Sequence, residues 1–217
     1  MTDRSRLVAA FDLDGTLTRR ETLTPFLIRG CGWGRTFRAL AATSPLLVRA
    51  ALVGGPHRDI AKAALLRRLL AGRALEPLAA EAEAYAEVVV ARQLRREIRE
   101  RLEWHRQEGH EVVIVSASPE LYVAPIGRRL GVDAVLATAL ETDGAGRVTG
   151  RLAGRNCRGP EKARRLEQWL GEERPHHLYA YGNSAGDAAL LAMADTANRV
   201  RRRLARRPPP PPPRSVG

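Results

Sequence analysis

The stretch RLVAAFDLDGTLT, residues 6–18, decides the fold of this chain. It begins with a short apolar run, which predicts a buried β-strand. The run ends in Asp12 and Asp14, and two acids in such a place must be solvated, paired or bound to a cation. Open parallel sheets bind ligands at the carboxyl ends of their strands. We therefore expect Asp12 and Asp14 to form a site for Mg²⁺ and a phosphate group, where one acid attacks and the other moves protons.

The sequence at the end of this strand is more specific than a pair of acids. Asp-Gly by itself is ordinary turn chemistry, so a strand that ends in a simple turn is the alternative interpretation. The whole string, an apolar run followed by FDLDGTLT, closely resembles the nucleophile motif of phosphatases of the haloacid dehalogenase (HAD) superfamily. Gly15 would allow the sharp exit from the strand. The resemblance implies that Asp12 is the nucleophile and that Asp14 serves as general acid and base.

Composition narrows the remaining possibilities. The chain has 217 residues, of which 44% are hydrophobic and 5% aromatic, enough for one good core. The formal net charge is +12, but residues 201–217 contain six arginines and no acid, which argues against nucleic-acid binding as the main role. Cys31 and Cys157 form no metal-binding spacing, so we expect a reducing, cytoplasmic environment. No N-terminal signal is expected, since the first strand begins at residue 7.

A nearly continuous helical pattern separates the first strand from the second. The predicted helices cover residues 21–30, 36–53, 59–70, 75–90 and 91–108. Helices inserted at this point resemble the cap of the phosphoserine phosphatase-like branch, HAD subfamily IB. The resemblance implies an α/β fold, a HAD-like Rossmannoid parallel sheet flanked by helices, with an inserted all-helical (C1-type) cap. The corresponding division is a core of residues 1–18 and 92–200, a cap of residues 19–91, and an Arg/Pro-rich disordered tail of residues 201–217.

The apolar segment Ala39–Val53 raises the question of membrane contact. It is shorter than a membrane-spanning helix requires and is interrupted by Pro45 and Arg49. A buried cap helix is the favoured interpretation, and interfacial contact with basic residues toward lipid headgroups is the alternative. We therefore expect a cytoplasmic protein, with peripheral contact at the inner face of the membrane left open.

Two later motifs are suited to bind phosphate. The run EVVIVS, Glu111–Ser116, predicts a strand, and a serine at a strand tip before a helix can bind a phosphate oxygen. Ser118 is then predicted to cap that helix. Lys162 lies in the first turn of another predicted helix, where a cation opposes the helix dipole. By resemblance to the second and third motifs of the superfamily, Ser116 and Lys162 bind the phosphate; a helix cap and a solvated lysine are the alternatives.

The fourth motif follows the predicted strand HLYAY, His177–Tyr181, and reads GNSAGD. It resembles the metal-binding motif of the superfamily, which implies that Asp12, Asp14, Asn183 and Asp187 are the Mg²⁺ ligands. The family usually has Asp at the position of Asn183. An amide oxygen can bind Mg²⁺ but brings no negative charge. Between the third strand and the third motif, Leu140–Ala153 is predicted to form a hairpin.

The four motifs occur in order over about residues 6–200. The resemblance implies a Mg²⁺-dependent phosphomonoester hydrolase that forms an aspartyl-phosphate on Asp12. We expect its substrate to be a small phosphorylated metabolite such as phosphoserine. Glu21, and Arg67 or Arg68, lie roughly where phosphoserine phosphatases bind the amino and carboxylate groups of their substrate. A helix-start acid and a solvated basic face are the alternative interpretation of these three residues.

Two other functions stay open. The chain also resembles the bacterial phosphatidylglycerophosphatase branch of the superfamily, and its apolar segment and basic tail suit a phosphatase of membrane-lipid phosphates. Asn183 leaves room for a weakly active protein that binds phosphorylated ligands. The six prolines of the tail favour an extended, unpacked segment.

Overall fold

The computed structural model describes residues 6–172 and 174–200. In this part of the chain the strands are β1 (Leu7–Phe11), β2 (Glu111–Pro119), β3 (Ala134–Thr138), β4 (Leu140–Thr142), β5 (Val148–Leu152), β6 (His177–Gly182) and β7 (Thr196–Arg199). The helices are α1 (Leu23–Cys31), α2 (Trp33–Val53), α3 (Pro56–Leu70), α4 (Leu75–Arg92), α5 (Arg96–Gln107), α6 (Glu120–Leu130), α7 (Pro160–Leu170) and α8 (Ala188–Ala192). The predicted tail, 201–217, lies outside the described residues.

A parallel sheet forms the centre of the fold, with strand order β3-β2-β1-β6-β7 among the described residues. β1 pairs in parallel with β2 on one side and with β6 on the other. The chain therefore changes direction across the sheet at β1, which opens a crevice at the carboxyl ends of the three strands. This architecture confirms the predicted fold class. The edge strand β7 was not expected, because its sequence TANR has no apolar alternation.

The two faces of the sheet bury different side chains of the same strands. Successive residues of a strand point to opposite faces. Ala9 and Phe11 therefore join the larger core, beneath α4, α5 and α6, whereas Val8 and Ala10 join a smaller core with residues of α7 and α8. With both faces covered, β1 can be apolar throughout, as the sequence is.

The helical insertion after β1 consists of α1–α4. The β4–β5 hairpin, encoded far along the chain, packs against this insertion: the Gly72 amide donates to the Val148 carbonyl (2.8 Å), and the Val148 amide donates to the Arg73 carbonyl (2.9 Å). Gly150 approaches the backbone of Arg67 so closely that a Cβ atom there would lie 2.7 Å from the Arg67 Cα. The hairpin thus lies against the cap helices, although the boundary between core and cap at 91/92 stays a prediction.

Helix α2 differs from the sequence interpretation. It was expected to be buried, but its buried residues are only Thr36, Ala39, Thr43 and Ala50. Apolar composition predicted the helix correctly, yet it cannot tell which face meets the protein. Much of the apolar surface of α2 is exposed.

Candidate active site

The groups expected to act on phosphate meet at the carboxyl ends of β1, β2 and β6. Asp12 directly follows β1, Ser116 lies in the last part of β2, and Asn183 directly follows β6. The Asp12 amide donates to the Tyr181 carbonyl (2.9 Å), which extends the β1–β6 ladder to Asp12. The fold therefore brings together side chains that are separated by more than a hundred residues of sequence.

Lys162 connects two buried acids at the centre of this site. Its Nζ donates to Asp12 Oδ1 (2.5 Å) and to Asp187 Oδ1 (2.7 Å). The second oxygen of Asp12 accepts from Thr16 Oγ (2.7 Å). Asp187 Oδ2 accepts from the backbone amides of Asn183 and Ser184 and from the Ser184 hydroxyl, so the loop after β6 is closed around it. Lys162 lies in the first turn of α7, and this pair of carboxylates is why a buried cation is tolerated there.

The Lys162 ammonium contacts two carboxylates, and the pKa values of these two acids shift in opposite directions. Burial raises the pKa of Asp12 from 3.8 to about 6, although Lys162 opposes the increase. Asp187 is buried too, but Lys162 and the Ser184 hydrogen bonds outweigh burial and lower its pKa. Burial alone would lower the pKa of Lys162, and the two acids instead raise it, which keeps it charged. The site therefore holds more buried negative than positive charge, an arrangement that favours an additional cation.

Asp14 has a separate set of partners, on the side of the cap. Its Oδ1 accepts from the amide and the hydroxyl of Thr22 (both 2.7 Å), and its Oδ2 accepts from Ser118 Oγ (2.5 Å). Thr22 is fixed in turn by the hydroxyl of Tyr85, which donates to its carbonyl (2.8 Å). Ser118 was expected to cap α6, but Pro119 occupies the N-cap position and the Ser118 hydroxyl binds Asp14 instead. Asp12 and Asp14, two residues apart in one motif, thus have different hydrogen-bond partners.

Ser116 is buried in the last part of β2. Its Oγ accepts from the Ser118 amide (3.1 Å), which orients the hydroxyl at the strand tip. The backbone turns directly into α6, whose amides face the same end of the sheet. This position suits a phosphate ligand.

Gly15 explains the sharp exit from β1 and its relation to Asn183. Its φ is +78°, a region that non-glycine residues rarely adopt. A Cβ atom at this position would overlap with the Asn183 Nδ2 atom. The side-chain amide of Asn183 therefore lies directly against the Asp12–Gly15 turn, where its oxygen could serve as a ligand together with Asp12.

The donor set fits Mg²⁺ by its chemistry. Among the described residues no group of three or more His, Cys, Asp and Glu side chains lies together as a metal site. The expected ligands are instead the Asp12 carboxylate, the Asp14 backbone carbonyl, the Asn183 amide and Asp187, whose Oδ1 accepts from Lys162. All are hard oxygen donors, and Mg²⁺ commonly binds through one or two carboxylates and keeps several waters. The excess of buried carboxylates supplies the charge that such an ion would neutralise.

The three residues predicted to bind the substrate form no hydrogen bond or ion pair with Asp12, Asp14, Ser116 or Lys162 in the described part of the chain, and their role stays a prediction. Glu21 Oε2 accepts from the amides of Leu23 and Thr24 at the start of α1, as the helix-start alternative proposed. Arg67 and Arg68 are exposed near the end of α3. Lys62 of α3 contacts the sheet domain at Ala117 and Asn156. Because each residue turns the helix by about 100°, Arg67 and Arg68 project from other sides of α3.

Lys62 is a candidate site residue that sequence reasoning missed. Its Nζ donates to the Ala117 carbonyl and to Asn156 Oδ1 (2.6 Å), and Asn156 Nδ2 donates to Asp59 Oδ1 (2.6 Å). Burial lowers the pKa of Lys62 to about 8, against the opposing effect of Asp59 and then Asp14. The sequence spacing could have identified Lys62. It precedes the buried Leu65 and Leu69 by three and seven residues, so it lies on the packed face of α3.

Comparisons with known proteins agree with this geometry. A model of the family "haloacid dehalogenase-like hydrolase" matches residues 9–192. Protein CicA of Caulobacter vibrioides is 38% identical over 189 residues, which cover 87% of this chain and 83% of CicA. Phosphoserine phosphatase SerB1 of Mycobacterium tuberculosis is 28% identical, over 87% of this chain and 63% of its own length.

A solved phosphoserine phosphatase with bound substrate has the same fold, with a TM-score of 0.62, 20% identity and coverage of 88% of this chain and 84% of its own. The family match spans β1, the helical insertion and the strands that carry Ser116 and Asn183. The chain therefore belongs to the haloacid dehalogenase-like hydrolases.

Proposed function

We propose that this hydrolase is a phosphatase that cleaves phosphomonoesters through an aspartyl-phosphate on Asp12, with Mg²⁺ as its cofactor. The observation that supports the proposal is that Asp12 and Asp14 have different hydrogen-bond partners. Asp12 faces Lys162 and the phosphate end of the site, whereas Asp14 faces Thr22 and Ser118 beneath the cap. Environments that differ in this way are how a pair of carboxylates takes separate nucleophilic and proton-transfer roles.

The nucleophilic step begins with the ionised Asp12 carboxylate. One oxygen attacks phosphorus, and the P–O bond to the leaving alcohol breaks as Asp14 donates a proton to the alcohol oxygen. Asp14 then takes a proton from the water that attacks the aspartyl-phosphate, which restores both acids and releases phosphate. Ser116 and Lys162 hold the non-bridging oxygens, and the Lys162 ammonium offsets repulsion between carboxylate and phosphate. When bound, Mg²⁺ would neutralise further charge on the phosphate oxygens.

The burial of the site residues limits the access of substrate to them. Asp12, Ser116, Lys162 and Asp187 are all buried. Lys62 connects cap helix α3 to the loop after Ser116 through the Ala117 carbonyl and Asn156. We infer that the cap must separate from the core to admit substrate, and that Lys62 returns to the site mouth when it closes. A cation there suits a substrate with a second negative group, which keeps phosphoserine among the candidates.

A phosphatase of membrane-lipid phosphates is the second candidate. The observation that favours it is the exposed apolar surface of α2, which a purely soluble metabolite enzyme does not require. Comparing phosphate release from phosphoserine with release from lipid phosphates in mixed micelles separates the two candidates.

The central experiment compares Asp12→Asn with Asp143→Asn, a matched substitution in the exposed turn of the hairpin. We expect Asp12→Asn to lose at least three orders of magnitude in phosphate release from a small aryl phosphate in the presence of Mg²⁺, because the amide cannot attack phosphorus. Asp143→Asn should retain the parent rate. Turnover by Asp12→Asn at the parent rate would refute the proposal. Saturable binding of phosphoesters by the parent protein without any release would indicate the weakly active, ligand-binding alternative.

A further inference from the structure

Helix α2 carries a continuous apolar stripe on its exposed side. Trp33, Phe37, Val48 and Leu52 are 74%, 71%, 57% and 82% exposed. At about 100° per residue these four side chains fall within a sector of roughly 100°, and the small residues Ala41 and Ser44 lie in the same sector. Scattered exposed hydrophobic residues are normal, but an aligned series that includes two aromatic rings indicates a surface that contacts something else.

The opposite face of α2 is attached to the protein along its length. Thr36, Ala39, Thr43 and Ala50 are buried against the neighbouring helices, and the Thr36 hydroxyl donates to the Leu27 carbonyl in α1 (3.2 Å). Among the described residues α2 is the one helix long and apolar enough to cross a membrane, by length and composition. Its attachment to α1 and α3 instead places it flat on the fold with the stripe facing outward, the arrangement of an interfacial helix.

A basic border runs along the stripe. Helix α2 contains Arg35, Arg38 and Arg49 and no acidic residue. Arg38 and Arg49 lie about 40–60° beyond Leu52 around the helix axis, between the stripe and the buried face. Within 6–172 and 174–200 none of these three guanidinium groups has an ion-pair partner.

Two of these arginines also line a cavity between α2 and α3. Arg35 and Arg38 face Arg68 across a space of about 300 Å³, whose floor is formed by Ala39, Ala42 and Leu69. Arg68 likewise has no acidic partner in the described part of the chain. Three guanidinium groups around one small space favour a phosphate group, which arginine binds in a bidentate manner.

We propose that α2 docks this protein on an anionic lipid bilayer, with the apolar stripe in the interface and lipid headgroup phosphates at Arg35, Arg38 and Arg68. A free phosphate would explain the arginines but not the stripe, and a purely apolar protein partner would explain the stripe but not the unpaired cations. An anionic bilayer supplies both chemistries next to each other.

The docking surface adjoins the catalytic loop. Helix α2 ends in the Gly54-Gly55 turn, and Arg158 Nη1 donates to the Gly55 carbonyl (3.4 Å). Arg158 also packs against Gly186, one residue before Asp187. A bilayer on α2 would therefore lie near the loop after β6 that carries Asp187. The docking itself does not depend on the proposed chemistry, since binding can be measured without turnover.

The test is flotation of the full-length protein with vesicles of phosphatidylcholine alone or of phosphatidylcholine mixed with phosphatidylglycerol. We expect binding to the mixed vesicles and a loss of roughly tenfold or more in vesicle affinity for Phe37→Ser/Leu52→Ser and for Arg35→Gln/Arg38→Gln. Arg96→Gln/Arg99→Gln, which removes two exposed charges from α5, is the matched control and should bind as the parent does. Parent-like thermal unfolding of each variant shows that folding is intact.

Trp33 gives an independent readout. Because its side chain is 74% exposed, its fluorescence should shift to shorter wavelength on binding the mixed vesicles, and Trp33→Phe should lose most of that shift while still floating. The proposal is overturned if the parent does not float with anionic vesicles, or if both α2 variants float like the parent. It is also overturned if Phe37→Ser/Leu52→Ser abolishes self-association of the protein and leaves vesicle affinity unchanged, which would assign the stripe to a second copy of the chain.

Discussion

Lys162 and Asp12 form a buried ion pair across 150 residues of sequence, with 2.5 Å between Nζ and Oδ1. The same ammonium holds Asp187, so two acids depend on one cation. A buried pair of this kind contributes little net stability, but removal of one partner leaves uncompensated charge. The shared contact therefore predicts that substitution of Lys162 destabilises the fold much more than substitution of Asp12 does.

Lys162→Met should lower the free energy of unfolding by about 3–5 kcal/mol, because two buried carboxylates lose their counterion. It should also reduce turnover by two to three orders of magnitude, since a donor to the transferring phosphoryl group is lost. Asp12→Asn should abolish turnover with little change in the free energy of unfolding, because Asp187 keeps Lys162 paired. Urea unfolding of both variants in metal-free buffer measures the contrast, and equal destabilisation by the two substitutions would contradict it.

Gly15→Ala tests the close approach of the first and fourth motifs. The new Cβ would overlap with the Asn183 amide, and the backbone φ of +78° would be strained for alanine. We expect a destabilisation of about 1–3 kcal/mol together with a large loss of turnover. The double variant Gly15→Ala/Asn183→Ala should recover part of the stability, because the overlap is removed while the strain stays. Gly144→Ala, at an open position in the hairpin turn, is the control and should behave like the parent.

Asn183→Asp tests the proposed ligand set. A carboxylate at this position would add negative charge beside Asp12, so we expect tighter Mg²⁺ binding, by about tenfold. The increase in unfolding temperature on addition of Mg²⁺ reports the affinity without turnover, since a ligand of the folded state stabilises it by mass action. In metal-free buffer the same variant should unfold at a lower temperature than the parent, because like charges accumulate. An unchanged response to Mg²⁺ would exclude Asn183 from the ligand set.

The positions of the candidate site residues in the fold could be predicted where the sequence signal is local. Asp12, Asp14 and Gly15 lie in one short motif, and Ser116, Lys162 and Asn183 each follow a strand or begin a helix with a recognisable pattern. The positions of Asp12, Ser116 and Asn183 at the ends of adjacent strands follow from parallel pairing.

The contacts between cap and core could not be predicted in this way. Thr22 reaches Asp14, and Lys62 reaches Asn156, only because the insertion folds back over the sheet. The arginines of α3 are similar in charge to Lys62, and only the face of the helix distinguishes them. The exposure of α2 was missed for the same reason, because composition does not indicate which side of a helix packs.

Lys62→Met tests the connection between cap and core. We expect this substitution to raise the KM for an anionic phosphoester roughly ten- to hundredfold, the factor that corresponds to the loss of one buried, charge-assisted hydrogen bond. Lys62→Arg should recover part of the affinity, because it keeps the charge. Arg67→Met removes a neighbouring positive charge of α3 that points away from the site, and it should leave KM unchanged. The ratio of KM values for the two methionine variants checks the assignment, and a ratio near one would contradict it.

His105 predicts how stability depends on pH. It is buried beneath the sheet, where its Nε2 lies 2.9 Å from the Tyr181 hydroxyl and its Nδ1 lies 2.7 Å from His110 Nδ1. Burial, and after it the charges of His110 and Arg101, lower its pKa from 6.5 to about 3.

Between these two values the unfolded chain binds a proton that the folded protein does not, so the free energy of unfolding falls as pH falls below about 6.5. The contribution of His105 between pH 7 and pH 5 is about 2 kcal/mol. Urea unfolding at these two pH values should show a larger loss for the parent than for His105→Phe, whose ring fills the site without binding a proton; the raised pKa of Asp12 offsets part of the loss in both proteins. An equal loss in both proteins would show that other groups carry the pH dependence.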